Sequence, residues 1–338
     1  MVERSYKILL VDDEEDNLEL LNRTLRQNYE IIKTTSPLEA LKILSETPVD
    51  IIISDHKMAE MDGLEFLKKS FELKPMCVRL LVTAYSDPRV LIEAINNAKI
   101  YRFVKKPWDP SELLAMVESS IEHYQLVVEN DKLIYDLKDL FSGTVNAIME
   151  ALDAKDSFTL GRSRRVTFLG LKMAEYLKLS REEMGKLELA GLLHDIGMIG
   201  VPEAVLLKTG GFTPDDYDQI KRHVSHGVKI LEDIKQLKDV VEIIKYHHER
   251  FDGSGYPDGL KGNDIPLNSR IIAVADTYDS IVSDRSYREG LRHDEAMHII
   301  EIQSGKQFDP VVADAFKNII PDAIEQITKH IMQVSERE

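Results

Sequence analysis

The sequence predicts a two-part chain: an α/β half built on a parallel sheet, followed by a half that is almost all helix. Three observations carry this. In the first third, short apolar runs alternate five times with stretches of helical period, the pattern of successive βα units. From residue 140 onward the helical period dominates and no alternating strand pattern stands out. The chain has 338 residues, enough for two domains at roughly 100–200 residues each.

The first-half elements follow in order. Lys7–Asp12 is a strand, an apolar run ending in acid. Asp16–Arg26 carries leucines at 18, 21 and 25, a helical spacing. Glu30–Thr34 is a second strand, and Pro37–Ser45 a helix with proline near its start. Asp50–Asp55 holds three consecutive isoleucines, a strand buried on both faces. Gly63–Leu73 is a helix, Arg79–Thr83 a strand, Pro88–Asn96 a helix and Tyr101–Lys105 the fifth strand. A last helix starts after Pro110. The result is a doubly wound (βα)5 sheet with helices on both faces.

Composition removes several classes of function. Lysine and arginine total 43 against 59 aspartate and glutamate, a net charge of −16. Such a chain has no electrostatic footprint for nucleic acid or anionic membrane. Cys77 is the one cysteine, so no intrachain disulfide forms, and a reducing compartment is expected. The longest apolar runs, such as Ile8 to Val11, are far short of a membrane span, and the charged start is no signal peptide. The expectation is a cytoplasmic protein.

In a doubly wound sheet, functional residues gather beyond the carboxyl ends of the strands. Those ends carry Asp12-Asp13, Asp55, Thr83 and Lys106-Pro107. Three carboxylates brought to one edge repel one another unless a cation sits among them, and an all-oxygen donor set favours Mg²⁺. A carboxylate beside Mg²⁺ and a lysine is suited to accept a phosphoryl group.

Over about residues 5–123 the chain resembles the receiver domain of two-component response regulators. The resemblance implies Asp55 as phosphoacceptor, with Mg²⁺ held by Asp12, Asp13, Asp55 and the backbone carbonyl of Lys57. It implies Thr83 and Lys106 as partners of the phosphoryl oxygens, Phe103 as the aromatic switch, and a sensor histidine kinase as partner. Lys105 is the rival lysine, but the family's lysine directly precedes proline. Ala59 stands where the family usually has proline.

From Ser111 to Ala154 there is no proline, and Gly143 is the only glycine. Apolar residues recur every three or four positions, a helical stripe that two copies could pair as a coiled coil. The stripe is imperfect near Asn130-Asp131. Residues 124–142 are read as a helical linker between a 1–123 domain and a 143–338 domain, and a homodimer is expected.

Five of the ten histidines fall between His194 and His248. His194-Asp195 ends an apolar helical stretch stopped by Gly197, and His223 lies on another. His247-His248 comes next, and Asp276 sits in a further apolar segment. Neutral imidazole suits Fe, Mn, Zn or Ni, and a carboxylate shared by two such ions is a hydrolytic design. The segment from His248 to Leu260 has glycines at 253, 255 and 259, a loop that lets a ligand approach the backbone.

From about Asn146 to Phe316 the chain resembles the HD-GYP branch of the HD-domain phosphohydrolases. The resemblance rests on His194-Asp195, His223, His247-His248, Gly255-Tyr256-Pro257, Asp276 and the run Asp284-Arg285-Ser286-Tyr287-Arg288. It implies a helical bundle that hydrolyses cyclic-di-GMP. His194, Asp195, His223, His247, His248 and Asp276 would be metal ligands, with Asp195 bridging. Arg285 and Arg288 would meet phosphates, and the loop of Gly255, Tyr256 and Pro257 the nucleotide.

Two positions depart from the family. Arg162 stands where the family has a histidine 32 residues before the His-Asp pair. A guanidinium stays protonated and offers no lone pair, so it either repels a cation or salt-bridges Asp276 in its place. Phe158 stands where some members place a third-metal glutamate, so at most two ions fit. Met198 replaces a lysine normally near the substrate phosphate. His226 is read as a partly exposed bystander. Two outputs therefore compete: a phosphorylation-controlled cyclic-di-GMP phosphodiesterase weakened by Arg162 and Met198, or a silent module that binds nucleotide or a protein such as a diguanylate cyclase.

Overall fold

The computed structural model describes residues 5–84, 99–155, 161–206, 208, 211–283 and 289–335. The chain divides into two compact units, Met1–Asp139 and Leu140–Glu338. In the first, strands β1 (Lys7–Val11), β2 (Glu30–Thr34), β3 (Ile51–Asp55), β4 (Val78–Thr83) and β5 (Arg102–Lys105) form one parallel sheet in the order β2-β1-β3-β4-β5. The five expected strands are present, with ends shifted by a residue at most.

Strand alternation sends side chains to opposite faces, and two cores result. Ile8, Leu10, Ile51, Ile53, Leu80 and Val104 pack with Leu18, Leu21, Leu25, Leu113 and Val117 on one side. Leu9, Val11, Ile52 and Leu81 pack with Ala40, Leu44, Phe66 and Leu67 on the other. Leu18, Leu21 and Leu25 come from helix α1 (Glu15–Leu25), Ala40 and Leu44 from helix α2 (Pro37–Glu46), and Phe66 and Leu67 from helix α3 (Gly63–Leu73). The N-termini of α2 and α3 are capped by Ser36 and Asp62, whose side chains accept from the Glu39 and Leu64 N–H groups. Every residue of β3 is buried, as its continuous apolar run requires. The helix expected over Pro88–Asn96 lies outside the described residues.

Helix α4 runs unbroken from Pro110 to Lys155, 46 residues. Near its middle, Leu126, Leu133, Leu137 and Leu140 are 65%, 54%, 64% and 67% exposed, an apolar stripe that no part of the described chain covers.

The second unit is helical. It comprises α5 (Arg162–Tyr176), α6 (Arg181–Leu193), α7 (Glu203–Leu206), α8 (Pro214–Lys221), α9 (His223–Leu231), α10 (Lys238–Lys245), α11 (Leu267–Val282), α12 (His293–Gln303) and α13 (Pro310–Ser335). A tight 3-10 turn, Ile196–Gly200, follows α6. Val166, Leu169, Leu187, Ala190, Ile244, Ile271, Val274 and Phe316 are among the buried side chains of a single core. Helix ends, rather than helix middles, deliver most of the polar groups described next.

Candidate functional sites

The first site lies at the carboxyl edge of the sheet, where the strand order reverses between β1 and β3. Asp12, Asp13 and Asp55 bring one oxygen each within 4.8 Å of one another. Lys106 Nζ sits 2.5 Å from Asp55 Oδ1 and 3.2 Å from Asp12 Oδ2. Lys105, the rival, is exposed. Burial works against charge on Lys106, but Asp55 and Asp12 outweigh it and raise its pKa. The Lys57 N–H donates to Asp55 Oδ2 at 3.0 Å, and the Ala59 N–H to Asp13 Oδ2 at 2.9 Å. Thr83 Oγ1 lies 3.1 Å from His56 Nδ1. Phe103 projects outward, 41% exposed. A cluster of three carboxylates with one lysine fits a hard divalent cation.

The second site is built from helix ends in the second unit. His194 closes α6, Asp195 begins the following turn, and His223 opens α9. His247 and His248 follow α10, and Asp276 lies within α11. Gly197 makes the approach of α9 possible: a Cβ there would lie 1.8 Å from the His223 carbonyl oxygen. His194, His223 and His247 each place Nδ1 against the carbonyl three residues earlier, at 2.8, 2.6 and 2.6 Å from Gly191, Ile220 and Ile244. A carbonyl only accepts, so Nδ1 carries a proton in all three; His194 Nε2 faces two carboxylate oxygens, whereas in His223 and His247 this turns the Nε2 lone pair inward. This is the tautomer that a metal-binding imidazole needs.

The cluster has two halves. In one, His223, His247 and His248 offer three donor atoms within 4.8 Å. His223 Nε2 and His247 Nε2 are 3.5 Å apart. Two nitrogens each about 2.1 Å from one ion are separated by about 3.0–3.5 Å, so this half fits a transition metal. Burial, then the neighbouring imidazoles, push His247 well below its usual range and His248 down to about 3. Both stay neutral, with lone pairs available.

In the other half, His194 Nε2 lies 3.2 Å from Asp195 Oδ2 and 3.3 Å from Asp276 Oδ1. Those two oxygens are also the ones Arg162 holds. Its guanidinium bonds Asp276 Oδ1, and its Nε lies 3.5 Å from Asp195 Oδ2. The salt bridge expected to replace a metal contact is therefore formed. Burial disfavours charge on both carboxylates, but His194 and Arg162 outweigh it and hold Asp195 and Asp276 well below the carboxylate range. Burial likewise opposes charge on His194, while Asp195 and Asp276 overcome it and lift the imidazole to about 10. This half fits a metal ion only with Arg162 displaced.

A groove of about 300 Å³ adjoins the His247 and His248 imidazoles, bordered by Lys221, Arg250, Tyr256, Thr277 and Gln307. Tyr256 stacks on His248 with ring centroids 4.9 Å apart, and Lys221 Nζ lies 5.6 Å from the Tyr256 ring centre. Gly255 packs with no room for a side chain, since a Cβ would lie 2.3 Å from the Arg250 amide nitrogen. Pro257 follows in the same loop. Met198 lines a separate 30 Å³ cavity with Arg162 and Asp195. Arg285, Arg288 and Phe158 lie outside the described residues. His226 is partly exposed, as expected.

Sequence reasoning passed over four residues. Arg165 forks onto Asp279, with Nε at 2.6 Å from Oδ1 and Nη2 at 3.1 Å from Oδ2. The signal was present: both residues fall one turn after Arg162 and Asp276, on the same helix faces. Glu249 is buried, and its Oε1 accepts from the Asp258 and Gly259 N–H groups at 2.8 and 2.9 Å, which shapes the glycine-rich loop. The Lys155 ammonium donates to the carbonyls of Met198, Ile199 and Val201, a contact no spacing rule foretells.

Comparison with known proteins agrees with both halves. The model for the response regulator receiver domain matches residues 8–118, and that for the HD domain residues 146–312. The cyclic di-GMP phosphodiesterase response regulator RpfG of Xanthomonas campestris pv. campestris is 32% identical over 327 residues, covering 91% of this chain and 86% of its own. The cyclic di-GMP phosphodiesterase of Thermotoga maritima is 31% identical over 330 residues, covering 91% and 89%. This chain belongs to the receiver–HD response regulators. The HD half is also similar to 3'3'-cGAMP-specific phosphodiesterase 1 of Vibrio cholerae, 38% identical over 170 residues, 48% of this chain and 39% of that protein. As a receiver–HD response regulator it answers to a phosphodonor kinase, and its HD half is of a divalent-metal class. Among the described residues, no helix is long and apolar enough to cross a membrane.

Proposed function

We propose that this receiver–HD response regulator is a cyclic di-GMP phosphodiesterase controlled by phosphorylation of Asp55. Its receiver would span 1–123, its connector 124–142 and its output 143–338. The observation that carries the reading is the inward-facing Nε2 set of His223 and His247, with His248, beside a groove sized for part of a nucleotide. In the receiver, Asp12, Asp13, Asp55 and the Lys57 carbonyl would hold Mg²⁺. In the output, His194, Asp195, His223, His247, His248 and Asp276 are the candidate ligands for up to two transition-metal ions (Fe, Mn, Ni or Zn).

A divalent ion held there supplies Lewis-acid charge to a phosphodiester. The chain's own groups do the rest. The Tyr256 face offers a stacking surface for a base, and Lys221 brings a cation to the same rim for a phosphate. Arg285 and Arg288 are proposed to meet phosphates as well. Thr83 and Lys106 would receive the phosphoryl group on Asp55, and Phe103 would report it. A sensor histidine kinase is the proposed donor.

Hydrolysis of cyclic di-GMP by the Mn²⁺-loaded full chain, followed by chromatography with and without beryllofluoride, tests the reading. Turnover that depends on His247 supports it. Preference for 3'3'-cGAMP would move the substrate assignment. Arg162 and Met198 favour a second reading, a silent module that binds cyclic di-GMP or a diguanylate cyclase. Nucleotide binding without turnover would establish that reading. The exposed leucines of α4 are proposed as the seam of a homodimer, to be read from solution mass.

A further inference from the structure

Building on the metal-dependent reading above, we infer that this chain holds a single transition-metal ion, on His223, His247, His248 and Asp195, with the Arg162 guanidinium standing permanently in place of a second. The two halves of the cluster are equally compact. Each offers three donor atoms within 4.8 Å. They differ in what already occupies their acceptors.

The oxygens that face His194 Nε2 are Asp195 Oδ2 and Asp276 Oδ1. Arg162 is engaged with both. An ion at this half would have to take these oxygens from a cation that cannot lose its proton. Arg162 is also tethered: it opens α5, and one turn later the Arg165–Asp279 fork fixes the same two helices against each other. A tethered cation competes at a high effective concentration against an ion supplied from solution. The vacated histidine position adds to this, because the arginine brings no lone pair.

Among the described residues, the three-histidine half carries no such competitor. Its Nδ1 protons on His223 and His247 are spent on carbonyls, and the paired Nε2 atoms are 3.5 Å apart. Asp195 turns its remaining oxygen, Oδ1, to 3.6 Å from His223 Nε2. Three imidazoles and one carboxylate oxygen form a donor set for Fe, Mn or Zn, with room for an exchangeable position. Asp195 thus joins an ion on one oxygen to a guanidinium on the other. The guanidinium supplies the second positive charge but no coordination position, so a phosphodiester meets one ion, not two.

The test is metal content per chain. The full chain is loaded with excess Mn²⁺, desalted, and analysed by plasma mass spectrometry, with an anomalous map to locate the ion. One ion among His223, His247 and His248 is expected, rising to two in Arg162→His. In Asp276→Asn, one ion should remain, whereas His247→Ala should lose it. Two ions in the parent chain, or one beside His194 and Asp276, would overturn the proposal and leave the phosphodiesterase reading intact. No ion in the parent would overturn both. Arg162→His that binds only one ion would refute the role of Arg162, and the parent map decides the stoichiometry even if that variant does not fold.

Discussion

Both halves of this chain set a basic side chain against two carboxylates, and the two arrangements differ in what the cation leaves open. In the receiver, Lys106 reaches Asp55 and Asp12 with one ammonium, while Asp13 stays exposed at the cluster's rim. A compact point charge leaves the other oxygens of the cluster for a divalent ion and a phosphoryl group. In the HD unit, Arg162 spreads a planar fork over the oxygens that His194 faces. The same charge therefore assists one site and fills the other. Lysine against arginine is the chemical difference, and geometry gives it effect.

The sharpest way to break the receiver side of this comparison is Asp55→Asn. Removing the acceptor oxygen that Lys106 holds should abolish incorporation of phosphate from acetyl phosphate. A mass shift of the intact protein reads it. Phosphate in the variant at the parent level would mean that Asp12 or Asp13 is the acceptor.

On the HD side, Arg162→Ala leaves the buried Asp276 and the part-buried Asp195 without their guanidinium. Breaking a buried pair by removing one partner costs about 3–5 kcal/mol. Denaturant unfolding in chelator should show a loss of this order, and excess Mn²⁺ should recover much of it by giving the carboxylates a new cation. A variant as stable as the parent in chelator would mean that the ion pair is not what holds these carboxylates ionised. Met198→Lys restores a cation at the edge of the cluster. Lys155 cannot already serve there, because its ammonium is spent on three carbonyls. One well-placed charge is worth on the order of 10² in rate, so cyclic di-GMP turnover should rise by about that factor. No change would place residue 198 outside the reach of the substrate.

The legibility of these sites in the sequence follows the range of the interactions. The strand-end acids and Lys106 were readable because a parallel sheet forces strand ends to one edge, whatever the loops do. Asp195, His223 and the His247-His248 pair were readable as residue types on apolar helices. The pairing of Arg162 with Asp276 was readable only as one of two outcomes, because charge complementarity does not say which oxygen a guanidinium reaches. The Arg165–Asp279 fork was one turn away from being seen. The Lys155 contacts and the Glu249 hold on the loop were not legible, since they join a side chain to backbone carbonyls or N–H groups whose positions exist only once the helices pack. The same packing divides one cluster of six ligand-type residues into two unlike halves.

That division has its own pH signature in the metal-free protein. Asp195 and Asp276 hold the His194 imidazole up to about 10 against an ordinary 6.5, although burial opposes its charge. A folded-state pKa above the unfolded one means that the folded chain keeps a proton the unfolded chain releases. The stabilisation from His194 is therefore complete below pH 6.5 and is lost as pH rises toward 10. One such proton gives a slope of about 1.4 kcal/mol per pH unit at its steepest. His248, pushed down to about 3 by burial and its imidazole neighbours, acts in the opposite window: its share is present above 6.5 and lost as pH falls toward 3. The receiver offers a control, since Lys106 lies above its ordinary 10.5 and stays charged throughout the His194 window. Its buried Cys77 thiol, raised from 9.0 to about 11, costs stability only at higher pH. Between pH 7 and about pH 8.5, denaturant unfolding in chelator should thus show stability falling with pH in the parent chain. The fall should be clearly shallower in His194→Gln, which holds no titrating proton. Equal slopes in the two proteins would mean that the Asp195–Asp276 pair is satisfied by Arg162 alone, with His194 neutral and its Nε2 free.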